Sequence, residues 1–99
     1  MNYTVVTLNG KHQRALSNEE FKVILQTAIK NGWRPSAKHV RGGQMRFDQP
    51  FDAQEARDLA AALERGLSAA ARFSPAVVVA VLETIGVLRH GAIRFEHHP

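Results

Sequence analysis

The stretch that organises this chain is Ile29-Lys30-Asn31-Gly32-Trp33-Arg34-Pro35. Asn31-Gly32 predicts the end of a helix, because glycine adopts without steric cost the left-handed conformation that closes one. Pro35 has a fixed φ and no amide hydrogen, so the helix does not resume after it. The only tryptophan follows the stop directly, where an aromatic ring commonly folds back onto the last helical turn. The most basic segment of the chain begins at the same place.

The residues before this stretch predict a hairpin and a helix. Residues 3–8 are rich in β-branched side chains and favour a strand. Asn9-Gly10 is a strong hairpin signal, and residues 12–16 are the expected returning strand. The spacing of Ser17 and Glu20 predicts a capping box. A helical repeat then predicts a helix over residues 18–30, with its apolar positions at Phe21, Ile24, Leu25, Ala28 and Ile29.

The residues after Pro35 predict a loop and a short strand. Residues 36–44 lack periodicity and contain two adjacent glycines. We therefore expect an exposed loop that carries Lys38, His39 and Arg41. Residues 44–48 follow as a short edge strand, with Met45 and Phe47 facing the same way.

Two more helices and a closing strand are expected in the second half. Asp52 and Glu55 predict a capping box for a helix that ends near Gly66, with a buried stripe at Ala56, Leu59, Ala60, Leu63 and Leu67. Residues 68–72 fit either more helix or a linker. Ser74-Pro75 predicts a hydroxyl cap and a helix start. The nearly all-apolar residues 76–88 predict a helix central to the core, although their valines would also suit a buried strand.

The end of the chain completes the predicted fold. Residues 92–97 alternate as a closing strand does, and residues 97–99 are expected to be a frayed tail. The fold class is therefore α+β, with an N-terminal β-hairpin and a C-terminal strand in a small, mainly antiparallel sheet packed against three helices. At 99 residues the chain is expected to be one domain, 1–99.

The charge is unevenly distributed along the chain. The net charge is +4, but residues 1–47 hold eight basic and two acidic side chains, while residues 48–99 hold five basic and seven acidic ones. No acid occurs between Phe21 and Phe47. Such asymmetry predicts a positive field on one face, which attracts an anionic partner. A solvated loop without a role is the alternative interpretation.

Composition argues against several kinds of chemistry. The chain has no cysteine, which excludes disulfides and thiolate sites and fits a cytoplasmic protein. The N-terminus lacks the features of a signal peptide, and the longest apolar run is too short for a membrane span. The five histidines lack the spacings of a zinc site, and two of the four serines fit helix caps. We therefore expect no enzyme, no metal and no cofactor.

Three motifs resemble those of a group of short, uncharacterised bacterial proteins. The first is a helix that ends in Gly32-Trp33-Arg34-Pro35, and the second is an Asp52-Ala53 start to an alanine-leucine helix. The third is a C-terminal helix that ends in Leu88-Arg89-His90-Gly91-Ala92-Ile93. Together they span most of the chain. The resemblance implies a small bacterial domain and supplies neither an activity nor site residues.

The basic segment is the expected contact surface. The candidate partner-binding residues are Trp33, Arg34, Lys38, Arg41 and Arg46. The leading hypothesis is a non-catalytic protein-interaction module, such as a small bacterial inhibitor or immunity protein of a toxin or defence system. The alternative is nucleic-acid binding through the basic loop 30–46, with Trp33 as a stacking platform. A core position for Trp33 is the competing interpretation. A homodimer is a further expectation, because the apolar third helix needs cover.

Overall fold

A computed structural model describes residues 2–70, 72 and 74–98, and it confirms the α+β fold. The strands are β1 (Asn2–Thr7), β2 (Gln13–Ser17), β3 (Val40–Arg41), β4 (Gln44–Met45) and β5 (Ile93–His98). The helices are α1 (Asn18–Lys30), α2 (Ala53–Arg65), the single turn α3 (Leu67–Ala70) and α4 (Pro75–Leu88), with a 3-10 helix at Ala37–His39. Within the described ranges, every helix is too short or too polar to cross a membrane.

The main sheet is antiparallel, with strand order β2-β1-β5. β1 is the central strand, and its Val5 lies opposite Arg14 on one side and Phe95 on the other. Gly10 has a φ of 75°, as the predicted turn requires. The connecting loop is longer than a two-residue turn. It is held by Asn9, whose Oδ1 accepts hydrogen bonds from Thr7 Oγ1 and the amide of Lys11.

Both ends of α1 form as predicted. Ser17 and Glu20 make the capping box, with reciprocal hydrogen bonds of 3.0 and 2.8 Å. At the other end, Gly32 has a φ of 94° and donates its amide to the carbonyl of Ile29. The amide of Trp33 donates to the carbonyl of Ala28, which completes a Schellman motif. The motif turns the indole back against the helix.

α2 begins at the predicted box and ends against α1. The Asp52 side chain accepts from the amide of Glu55, and Glu55 accepts from the amide of Asp52. Arg65, in the last turn of α2, donates two hydrogen bonds to the carbonyl of Asn31. Its positive charge thus lies at the C-terminus of α1, where the helix dipole favours a cation.

α4 differs from its prediction in two ways. Ser74 precedes the helix, but its hydroxyl makes no capping bond, and only its carbonyl accepts from the first turn. One face, which includes Val81 and Leu88, is buried, whereas Val79 and Leu82 are each 49% exposed. The helix therefore lies against the core with one side and keeps an apolar side in solvent.

Aromatic rings fill the space between the sheet and the helices. Tyr3 stacks on Phe21 with ring centroids 3.8 Å apart, and Phe95 packs edge-on against Phe21 and Phe51. Phe51 also joins the sheet by one bridge, because its amide and carbonyl bond those of Ile93 at 2.8 and 2.9 Å. This bridge fixes the segment before α2 to the outer edge of β5.

Two segment predictions are wrong, and both errors have a tertiary cause. The expected frayed tail is ordered at His97 and His98, which pair with Tyr3 and Asn2 of β1. The expected loop 36–44 contains the 3-10 helix and the β3–β4 hairpin, which turns at two glycines with positive φ. The predictions for Ala71 and Pro99 lie outside the described residues.

Candidate functional site

Trp33 lies in the core. It is only 4% exposed, and its ring is 6.3 Å from that of Phe51. The Schellman motif described above holds it there. Trp33 therefore occupies the core position that was the competing interpretation, and its ring is not available as the stacking platform of the nucleic-acid alternative.

Lys38 is engaged by an acid of the same chain. Its Nζ lies 2.9 Å from Oε1 of Glu55. Glu55 also accepts a hydrogen bond from Ser36 Oγ at 2.8 Å and from the amide of Asp52 at 3.0 Å. The Glu55 carboxylate thus links the start of α2 to the 3-10 helix and the residue before it. Because Lys38 is already paired with Glu55, its charge is partly neutralised and attracts an anionic partner less strongly.

His39 is fully buried, although an exposed position was predicted for it. Its ring stacks on Phe51 with centroids 3.8 Å apart and an interplanar angle of 5°, and its Nε2 lies 3.0 Å from Oε2 of Glu55. An ionised carboxylate only accepts hydrogen bonds, so Nε2 carries the donated hydrogen. Nδ1 has no hydrogen-bond partner among the described atoms. The error arose because the partners of His39 are distant in sequence.

The environment of Glu55 alters its acidity. Burial alone would raise the pKa of this carboxyl. The hydrogen bonds from the amide of Asp52, from Lys38 and from Ser36, together with the charge of His39, outweigh burial and lower the pKa from 4.5 to about 2. Glu55 is therefore ionised at neutral pH. Ser36 donates to this carboxylate and not to a histidine, so the group does not have the order of a serine nucleophile and its base.

Arg34 lies apart from the other candidate residues. Its Nη1 donates to the carbonyl of Trp33, and it borders a hollow of about 290 Å³ with Asp58 and Arg65. A smaller hollow of about 110 Å³ adjoins it on the side of Glu55. Neither hollow includes Arg41 or Arg46. The predicted contact surface is therefore divided.

Arg41 and Arg46 come together at a groove of about 610 Å³, called here the Arg41–Arg46 groove. It lies between the β3–β4 hairpin and one end of the sheet, and its lining is Tyr3, Arg41, Met45, Arg46, Phe47, Asp48, Phe95 and His97. Neither arginine forms an ion pair with a described carboxylate. The floor is aromatic and the rim is cationic, apart from Asp48. This arrangement suits a ligand that is both extended and anionic.

Only part of this groove could be predicted from the sequence. Arg41 and Arg46 were candidates, and Met45 and Phe47 were expected to face the same way. Tyr3, Phe95 and His97 were missed because their place depends on β1 pairing with β5. The alternation of residues 92–97 marks a strand, but it does not identify the neighbouring strand.

A second groove contains two stacked histidines. The rings of His12 and His90 lie 3.5 Å apart at 5°, in a depression of about 400 Å³ beside Arg14 and Glu83. Arg14 is paired with Glu83 at 2.9 Å, so this surface is closer to neutral than the first. Across the described residues, no three histidine or acidic side chains are placed to hold a metal ion.

Comparisons of the chain with protein families, with curated proteins and with solved structures found no match. The functional argument therefore depends on the geometry of the Arg41–Arg46 groove.

Proposed function

We propose that this protein is a non-catalytic interaction module that binds an acidic segment of a partner protein in the Arg41–Arg46 groove. The observation that carries the proposal is a pair of arginines that form no ion pair with a described carboxylate and lie beside an aromatic floor. Arginine and aromatic side chains are the residues that most often dominate protein interfaces. The guanidinium group also binds a carboxylate through two parallel hydrogen bonds.

The charges elsewhere favour this groove over the rest of the basic segment. Lys38 is paired with Glu55, and Arg14 with Glu83. The groove has two arginines against one acid, Asp48. A concave site with a net positive rim attracts carboxylates and speeds their approach. Arg41 and Arg46 therefore carry the proposal, and Arg34, Lys38 and Trp33 stand outside it.

The more specific form of the proposal is a small bacterial inhibitor or immunity protein that acts in the cytoplasm on a toxin or defence component. Electrostatic complementarity selects partners of opposite charge, so a basic inhibitor requires an acidic surface on its target. This form predicts a stoichiometric complex with the product of a neighbouring gene. Co-expression of the two proteins and analysis of the purified complex test it, and failure to form a complex would remove this form while leaving the groove proposal intact.

Nucleic-acid binding is the second candidate, because arginines beside aromatic rings also suit single-stranded bases. Cations that track a nucleic-acid backbone are expected to follow one another along a strip. Here Lys38 is paired with an acid, and Arg34 borders a separate hollow. The geometry therefore supports the protein partner better.

A peptide display selection tests the leading proposal. We expect the wild-type protein to enrich peptides with several aspartates or glutamates. The variant Arg41→Glu/Arg46→Glu should bind the selected peptides about tenfold or more weakly, because each guanidinium–carboxylate contact becomes a repulsion. The control Lys22→Glu/Arg57→Glu makes the same change of net charge at two exposed helical positions away from the groove. Equal loss in both variants would show that only net charge matters and would overturn the proposal.

A salt series tests the second candidate. Fluorescence anisotropy of a labelled single-stranded oligonucleotide is measured with the wild-type protein at two salt concentrations. The leading proposal expects no binding at physiological salt. Tight binding that weakens steeply with salt and depends on Arg41 and Arg46 would favour nucleic acid instead.

Self-association is a separate prediction. The exposed apolar side of α4, with Val79 and Leu82, motivates it. Light scattering after size exclusion should show a dimer that Leu82→Glu converts to a monomer without loss of stability, because Leu82 is half-exposed. A wild-type monomer at high concentration would remove the homodimer.

A further inference from the structure

The two edges of the main sheet differ in how their backbone groups are occupied. In an antiparallel sheet, successive residues of a strand direct their amide and carbonyl groups to opposite sides. The carbonyl of Ala92 accepts from Leu8, next to β1, whereas Ile93 bonds Phe51 on the outer side. The same alternation directs the groups of Phe95 and His97 outward. Neither residue has an outward hydrogen-bond partner in the described part of the chain.

The opposite edge, formed by β2, is blocked by side chains. The amide of Ser17 donates to Oε1 of Glu20 at 2.8 Å, and the carbonyl of Ala15 accepts from the guanidinium of Arg14. The carbonyl of His12 accepts from the amide of Thr7 in β1, so the backbone groups of His12 face β1. Because successive residues alternate, the backbone groups of Ala15 and Ser17 face outward. Proteins commonly protect sheet edges in this manner. The β5 edge lacks that protection at Phe95 and His97.

The open part of the β5 edge borders the Arg41–Arg46 groove, since Phe95 and His97 line both. The chain itself shows how this edge is used, because Phe51 occupies it for one residue at Ile93. Pro50 precedes Phe51, and the chain bends at Asp48 and Gln49. In the described part of the chain, no backbone hydrogen bond continues the pairing with β5 from Ile93 to Phe95 or His97.

We propose that an acidic segment of the partner protein adds to the sheet as an antiparallel strand on β5, pairing with Phe95 and His97. This inference rests on the proposed function and specifies its mode of recognition. Residues directly opposite each other on paired strands place their side chains on the same face. Partner residues opposite Phe95 and His97 thus face the groove, where Arg41 and Arg46 donate hydrogen bonds to their carboxylates. Main-chain bonds supply affinity and alternate side chains supply specificity.

Charge disfavours a second copy of this chain as the occupant. A two-fold pairing of β5 with itself that used the open groups of Phe95 and His97 would centre on Glu96. It would place two Glu96 residues directly opposite each other, and like charges at that position are destabilising. A partner strand whose carboxylates lie on the groove face and whose intervening residues are neutral avoids this conflict.

The test uses a capped seven-residue peptide that alternates glutamate with valine, titrated into the full-length protein. In an antiparallel pair the groove-facing glutamates donate their amides to β5. N-methylation of the glutamates should therefore weaken binding at least tenfold, while N-methylation of the valines should leave it within about twofold. Equal effects of the two modifications would overturn strand addition.

Amide exchange followed by NMR gives a second readout. The amides of Phe95 and His97 should become protected when the peptide binds, whereas the outward amide of Gln13 on the β2 edge should not change. If neither the Phe95 amide nor the His97 amide became protected when the protein was saturated with peptide, strand addition would also be overturned. Binding that requires Arg41 and Arg46 but is unaffected by N-methylation would support the proposed function and overturn strand addition. Failure of every acidic peptide, including those selected by display, would overturn both.

Discussion

Nε2 of His39 lies 3.0 Å from Oε2 of Glu55, and this contact joins a fully buried ring to the carboxylate that completes the α2 capping box. The other oxygen of Glu55 bonds the amide of Asp52 and pairs with Lys38. The 3-10 helix and the start of α2 are therefore held by one side chain. Because the amide of Arg46 donates to the carbonyl of His39 at 2.7 Å, the same connection positions the rim of the groove.

Replacement of Glu55 is expected to cost more than replacement of the matched residue in the other capping box. Glu55→Ala removes the box and leaves a buried histidine without its acceptor, so we expect a loss of about 2–4 kcal/mol. Glu20→Ala removes a box and a long ion pair of 3.9 Å with Arg14, for about 1 kcal/mol. Urea unfolding measures both. Similar losses would show that the contact with His39 adds nothing.

The same carboxylate predicts a dependence of stability on pH. Folding lowers the pKa of Glu55 from 4.5 to about 2, so the folded state favours the ionised form. The resulting stabilisation is fully present above pH 4.5 and is lost as the pH falls towards 2, at most about 3 kcal/mol in total. In the variant Glu55→Gln, the side chain at position 55 does not ionise in this pH range. The difference in unfolding free energy between wild type and Glu55→Gln should shrink between pH 6 and pH 2.5, and a constant difference would contradict the assignment.

The burial of Trp33 predicts its fluorescence. As the only tryptophan, it reports alone, and at 4% exposure it should show blue-shifted emission and weak quenching by acrylamide. Saturation with a groove-binding peptide should leave the quenching unchanged. Trp33→Ala should cost about 3–5 kcal/mol, because it empties a core position. Strong quenching in the folded protein, or protection by the peptide, would instead place the indole at the contact surface.

The features that could be predicted from the sequence are local ones. The boxes at Ser17 and Asp52 and the stop at Gly32 each depend on residues within a few positions of one another. The fold class followed, because these signals delimit the helices and the intervening alternation marks the strands. Ser74 shows the limit of such signals, since its side chain makes no cap despite a suitable sequence.

The candidate site depended on contacts that sequence spacing does not reveal. His39 is buried by Phe51 and Glu55, which lie more than ten positions away. The sequence predicts Glu55 only as the capping-box partner of Asp52, and its contact with Lys38 could not be predicted from that spacing. The charge pattern predicts one positive surface, but in the structure Arg41 and Arg46 line one groove and Arg34 borders another hollow.

Two glycines, Gly66 at the C-cap of α2 and Gly86 within α4, are expected to respond to alanine in opposite ways. A Cβ on Gly66 would collide with the side chains of Asn31 and Thr27, whereas a Cβ on Gly86 would meet nothing within 4 Å. Gly66→Ala must push the helices apart and should cost about 1–3 kcal/mol. Gly86→Ala lies on an exposed helical surface and should stabilise the protein by up to about 1 kcal/mol, because alanine favours the helix. Thermal unfolding of the two variants separates them. If Gly66→Ala also raised the melting temperature, the close approach of the two helices at Asn31 would be wrong, because no change confined to the unfolded chain could offset such a collision.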